Sequence, residues 1–214
     1  MRKIIFATGN QGKMKEIREI FKDLPYEVLS MKEAGISVDI VEDGTSFEEN
    51  AMIKARAVAE CSGEIAMADD SGLEVDFLGK APGIYSARFL GEETSYEVKN
   101  QYILDKLKDV PEAERAARFV CAIAIVFPDG KSEIRRATIE GRIAYESAGE
   151  NGFGYDPIFY VPEFNRTTAQ LTMEQKNKIS HRAKALLAIK KEVLCVGGEG
   201  NLYIEGKKDD PCDQ

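Results

Sequence analysis

The sequence is poor in the groups on which most metal and nucleophilic centres are built. Its single histidine, His181, excludes a multi-histidine metal site and makes any Ser-His-Asp arrangement depend on one residue. The four cysteines, Cys61, Cys121, Cys195 and Cys212, lie far apart and form no C-x-x-C pair, so neither zinc nor a redox motif is indicated and buried free thiols are expected. No run reaches the roughly 20 apolar residues of a bilayer span. Met1-Arg2-Lys3 leads directly into a β-like run without a signal-peptide cleavage pattern, so a cytoplasmic protein with no membrane partner is expected. Positive charge is also scarce: a formal net charge of -8 gives no overall field toward nucleic acid, although a local basic pocket for one small anion is compatible with it. Chemistry by carboxylates and a hard cation remains.

With 214 residues, 43% of them apolar, the chain can bury one sizeable core, so a single domain over residues 1–195 is expected, followed by a Gly-rich and then charged tail over 196–214. The order of patterns is α/β. Residues 3–7 read as an apolar strand, and Met14, Ile17, Ile20, Phe21 and Leu24 recur at helical spacing. A short strand at 28–30 precedes a helix over 46–60 that opens with a capping box, Ser46 with Glu49. A strand at 65–69 and a helix over 95–107 follow. Residues 118–127 and 131–139 form a hairpin around Pro128-Asp129-Gly130, so the sheet must be mixed. Thr172 opens a short helix and Ser180 caps another, with Ala183, Leu186, Leu187, Val193 and Leu194 predicted on one face.

Five blocks carry candidate chemistry. Thr8-Gly9-Asn10-Gln11-Gly12-Lys13 lies between a strand end and a helix start, where backbone N–H groups favour an anion and Lys13 adds charge. It is not a Walker A loop: the glycines are too close together, and Met14 stands where Ser or Thr would hold magnesium. An ordinary glycine-containing turn remains an alternative. At about 3.6 residues per turn, Lys54 falls in the inward stripe of Phe47, Ala51, Ala55 and Val58, so it needs an anionic partner or must snorkel to water; Asn50 lies one turn earlier. Asp69-Asp70-Ser71-Gly72 follows an apolar run at a strand end. Adjacent strand residues point to opposite faces, so one acid should face the site and the other support it. Magnesium, usually held by one or two carboxylates plus substrate phosphates, could take Glu42 and Asp70 from different segments; manganese suits the same oxygens. In Gly152-Phe153-Gly154-Tyr155-Asp156-Pro157, glycines leave ring faces open to stack on a base, unless the aromatics form a packed corner under a loop. Ser180-His181-Arg182, with Lys176 and Lys178 upstream, puts cations at a helix N-terminus, which makes sense if an anion or carbonyl oxygen shares the spot.

The order of these blocks, with Ala81-Pro82-Gly83 and Ser86-Ala87-Arg88 between them, resembles the inosine/xanthosine triphosphate pyrophosphatase (Ham-type) family over residues 3–194. The resemblance implies an elongated, two-lobed α/β molecule with a long mixed sheet flanked by helices and a central cleft. It also implies a homodimer and magnesium-dependent hydrolysis of ITP, dITP or XTP to the monophosphate and pyrophosphate. By the same resemblance Thr8, Gly9, Asn10, Gln11, Gly12 and Lys13 bind the triphosphate and Lys54, with Asn50, faces the phosphates. Asp70 is the catalytic carboxylate and a magnesium ligand, with Glu42 and Asp69 as further metal-site acids. Ser71, Phe153, Gly154, Tyr155, Asp156, Lys176, His181 and Arg182 contact substrate. Two departures stand out: Ser46 replaces the family's usual Thr with its capping hydroxyl kept, and the tail extends past the usual end. A Maf-like pyrophosphatase is the nearest rival, opposed by Ser180-His181-Arg182 and the 152–157 block. A nucleotide sensor without hydrolysis is opposed by Glu42, Asp69 and Asp70 beside a phosphate loop.

Overall fold

In the computed structural model, which describes residues 2–197, the chain runs β1 (Arg2–Phe6), α1 (Gln11–Phe21), β2 (Tyr26–Ser30), α2 (Phe47–Ser62), β3 (Ile65–Val75) and α3 (Tyr96–Lys106). It continues through β4 (Ala116–Val126), β5 (Ser132–Ile143), β6 (Phe159–Val161), β7 (Arg166–Thr167), α4 (Met173–Ile179) and α5 (His181–Gly197). One mixed sheet has the order β2-β1-β3-β4-β5-β6-β7, with β1 parallel to both neighbours and every later pairing antiparallel. The parallel strands are joined through α1 and α2, as parallel pairing requires, whereas Pro128-Asp129-Gly130 closes the β4–β5 hairpin directly, with Gly130 at φ 86°.

Period-two alternation sends each strand's side chains to two cores. Ile4, Phe6, Met67, Cys121 and Ile123 meet α1 and α5 on one face; Ile5, Ala66, Ala68, Ala122 and Ala124 meet α2 on the other. A third cluster, including Leu73, Ile103, Leu107, Ile139 and Phe159, packs α3 against the far part of the sheet.

Four expectations need correction. The strand expected to stop at Asp69 runs on to Val75, because Leu73 and Val75 join the core and pair with Phe119 and Ala117; tertiary pairing overrides the turn propensity of Asp69-Asp70-Ser71-Gly72. Gly72 is required there, since a Cβ would lie 2.4 Å from the Gly83 carbonyl oxygen and 2.5 Å from Ser86 Oγ. Only half of the capping box forms: Ser46 accepts from Glu49 N, but the Glu49 carboxylate accepts from Thr45 N and Oγ1. The buried stripe of α5 is Ala185, Leu186, Ile189 and Val193, while Leu187 and Leu194 sit on a different face and are exposed. Cys121 is a buried thiol as expected, but Cys61, on the last turn of α2, is exposed. The side chain of Cys195, and all of residues 198–214 with Cys212, lie outside the described residues.

Candidate active site

Where β1 ends, β3 loses its neighbour. The β1 pairing reaches only Met67, and β3 next meets a partner on that edge at Leu73, whose N–H donates to Ser86 Oγ at 2.9 Å. Between them the edge of Asp69-Asp70-Ser71 has no strand beside it among the described residues, while β4 covers the other edge. The two acids point to opposite faces of this gap, as the alternation predicts.

On the α1/α5 face, Asp69 is almost fully buried. Its Oδ2 pairs with Lys13 Nζ at 2.7 Å, receives Ser71 Oγ at 3.0 Å and lies 3.5 Å from Arg182 Nε. Burial alone would raise this carboxyl, but Lys13 and Arg182 overrule it and hold the pKa well below the carboxylate range. Arg182 also donates to Glu16 at 2.9 Å, so the anion expected beside the α5 N-terminus is supplied by Asp69 and Glu16 of the chain itself.

On the α2 face, Lys54 Nζ bridges Glu42 Oε2 at 2.8 Å and Asp70 Oδ1 at 3.1 Å, so the inward lysine has its anionic partners. Their charge keeps its pKa raised against the desolvation that would lower it. Asn50, fully buried, accepts from Gly44 N and points Nδ2 at Asp70 Oδ2, 3.5 Å away. Burial pushes the Asp70 carboxyl up, with Lys54 pulling the other way.

Beside the gap on the α1/α5 face opens a pocket of about 520 Å³. Asn10, Gly12, Lys13, Ser71, Phe153, Gly154, Tyr155, Asp156, Lys176, His181 and Arg182 line it. Thr8, Gly9 and Gln11 stay in the loop above without lining it. Asn10 N-caps α1 by accepting from Lys13 N at 3.1 Å, and Thr8 Oγ1 accepts from Asn10 N at 3.1 Å, which shapes that loop. Glu42, Asn50, Lys54 and Asp70 belong to the other face, and Asp69 is not brought together with Glu42 and Asp70.

The aromatic block divides. Phe153 is 48% exposed, whereas Tyr155 is buried with its hydroxyl donating to the Ser86 carbonyl at 2.8 Å, so for Tyr155 the packed-corner alternative is what the structure shows. Gly154, at φ 68°, makes the turn that separates them. Asp156 latches the loop: its carboxylate accepts from Phe153 N at 2.8 Å, Thr168 Oγ1 at 2.8 Å and Lys176 Nζ at 2.5 Å. His181 stacks on Phe119, with ring centroids 5.3 Å apart. Its Nδ1 is buried without a partner, and burial, helped by Arg182 and Lys176, holds its pKa well below the usual histidine range, so the ring is neutral. Sequence reading missed Ser86, Ala87, Phe119, Ile139 and Thr168 as lining residues, and with them Tyr96. Ser86 and Ala87 lay in a quoted motif, whereas Phe119 and Ile139 look like any alternating strand residue.

The chain matches the Ham1 family over residues 4–192. It belongs to that family. It is 51% identical over 184 residues to the dITP/XTP pyrophosphatase of Desulforamulus reducens, covering 86% of this chain and 92% of the relative. It is 46% identical to the dITP/XTP pyrophosphatase of Bacillus subtilis, covering 89% and 96%. Among solved structures, the Ham1 protein of Staphylococcus aureus superposes with a TM-score of 0.83 at 43% identity, covering 91% of this chain and all of that one. The mixed seven-stranded sheet flanked by helices is thus the fold of this family. No helix among the described residues is long and apolar enough to cross a membrane.

Proposed function

We propose that the chain hydrolyses non-standard purine nucleoside triphosphates, ITP, dITP and XTP, between the α- and β-phosphates, releasing the monophosphate and pyrophosphate. The observation that carries this reading is the gap in the sheet at Asp69-Asp70-Ser71. Cations gather on both faces of it, Lys13 and Arg182 on one and Lys54 on the other, beside a pocket whose volume falls in the usual range for small-molecule sites. A triphosphate tail lying across the open edge would meet Lys13 on the pocket side and Lys54 on the other, while the nucleoside occupies the pocket.

Glu42 and Asp70 would hold magnesium. The locus suits a hard cation, since the ammonium of Lys54 already sits between the two carboxylates and every donor there is oxygen. No cluster of three or more metal-binding side chains exists among the described residues, so substrate oxygens and water would complete the shell. Bound magnesium would neutralise phosphate charge and make water a better nucleophile; manganese offers the same chemistry. Asp70, with its pKa raised by burial, is suited to orient the attacking water and accept its proton. Lys54 and Lys13 would bind the leaving pyrophosphate as its charge develops.

For the base, Phe153 offers an exposed ring for stacking, and Arg182, the neutral His181 or loop N–H groups would donate to the 6-oxygen of inosine and xanthosine. An adenine amino group would leave those donors unpaired. We further propose a homodimer, on the family resemblance alone.

The test is incubation with ITP, dITP, XTP, GTP, ATP and TTP, with and without magnesium, quantifying pyrophosphate against orthophosphate. Pyrophosphate from ITP and XTP, lost on removing the metal, supports the reading. Orthophosphate would mean terminal-bond cleavage, and binding without any product would mean a sensor.

A further inference from the structure

Two consecutive buried residues of α3 have no part in the scheme above. Lys99 is 1% exposed and has no carboxylate partner; its Nζ donates to the Ala87 carbonyl at 2.6 Å and sits 4.8 Å from the centre of the Tyr96 ring. Asn100 is 5% exposed, and its Nδ2 donates to the Gly154 carbonyl at 3.0 Å, while its Oδ1 is buried without a partner. Burying an ammonium and half an amide in this way costs stability. The same core could be packed with apolar side chains, so stability alone does not account for the pair.

Both acceptors are carbonyls of residues that line the pocket, and they come from segments far apart in the chain. Successive helical residues point about 100° apart, so one turn of α3 can hold two segments at once. Tyr96, on that same turn, is the ring closest to Gly154 and lies edge-on to Tyr155, with centroids 5.3 Å apart. Tyr155 in turn donates to Ser86, next to Ala87, which closes a loop of contacts around this wall.

We propose that Lys99 and Asn100 are positioning residues that fix the spacing of the pocket wall formed by Ala87, Tyr96 and Gly154, and thereby set how tightly the nucleoside is held. This rests on the proposed function. The wall lies away from the Glu42, Lys54 and Asp70 cluster, so its loosening falls on binding and base choice rather than on the bond-breaking step.

The experiment is steady-state kinetics of the full chain on ITP and ATP with magnesium, with calorimetric binding of IMP and thermal melting, for wild type, Asn100→Leu, Asn100→Ala and Lys99→Met. Asn100→Ala serves if the leucine variant does not fold. Displacing a wall by about an ångström costs up to roughly a hundredfold. We expect KM for ITP and Kd for IMP to rise by about ten- to a hundredfold with kcat changed less than about threefold, and the preference for ITP over ATP to shrink. Unchanged KM, Kd and base preference in folded variants would overturn the proposal. So would a loss of activity that merely tracks the folded fraction, which is what a structural prop would give. Wild-type protein that neither splits ITP nor binds IMP would overturn the proposed function, and this inference with it.

Discussion

Neutralising Asp69 should expose how much of this fold rests on its charge. In Asp69→Asn, Lys13 and the buried Arg182 lose the carboxylate on which both converge, and the Ser71 hydroxyl loses its acceptor. Removing one partner of a buried ion pair costs roughly 3–5 kcal/mol. Arg182 keeps Glu16, and Lys13, with 21% of its side chain exposed, can turn to water, so the lower end, about 3 kcal/mol, applies. For a chain of this size that corresponds to a fall in Tm of about 6–12 °C. The pH dependence follows in sign. The folded carboxyl has a pKa well below its unfolded value of about 3.9, so the stabilisation is fully present above that value and is lost as pH falls toward the folded one. Melting of both proteins across pH 3–8 should show a constant gap down to about pH 4 that narrows below it. A Tm within about 2 °C of wild type at pH 7 would refute the electrostatic account of this face.

Three further predictions follow from the packing. The sole histidine should give one titrating imidazole signal by NMR, with a midpoint well below 6.5; because the unfolded ring binds a proton that the folded ring refuses, stability should also decline as pH drops below about 6.5, and an ordinary midpoint would contradict the buried, neutral assignment. Gly72→Ala should cost about 1–3 kcal/mol or more by thermal melting, since its Cβ meets backbone oxygen rather than a flexible side chain. Asp156→Ala should release the loop around Phe153, raising KM for ITP and increasing proteolytic cleavage within residues 152–157, with loss of charge-assisted bonds worth roughly 1.5–3 kcal/mol each.

The sequence carried the α/β order, the hairpin and the ligand-facing blocks because each rests on local signals: period, caps, turn residues and charge in an apolar stripe. Lys54 was legible for that last reason, and its partners are two of the acids picked out beforehand. The length of β3 was not, since Asp69-Asp70-Ser71-Gly72 reads locally as a turn and is held extended only by β4 and by cations from α1, α2 and α5. Alternation foretold that the two acids diverge, but not that β1 stops short and leaves an open edge between them. Lys99 and Asn100 look like ordinary solvated helix residues; their burial depends on where residues 87 and 154 arrive from elsewhere in the chain.

The central claim, that Asp70 serves the chemistry while the pocket across β3 serves the nucleoside, is tested most directly by Asp70→Asn. Turnover of ITP to IMP and pyrophosphate should be measured at saturating magnesium, alongside calorimetric binding of IMP and a thermal melt. The account predicts a loss in kcat of at least about 10³-fold, with IMP affinity and Tm close to wild type. Near-normal turnover, or a loss of IMP binding equal to the loss of rate, would contradict it.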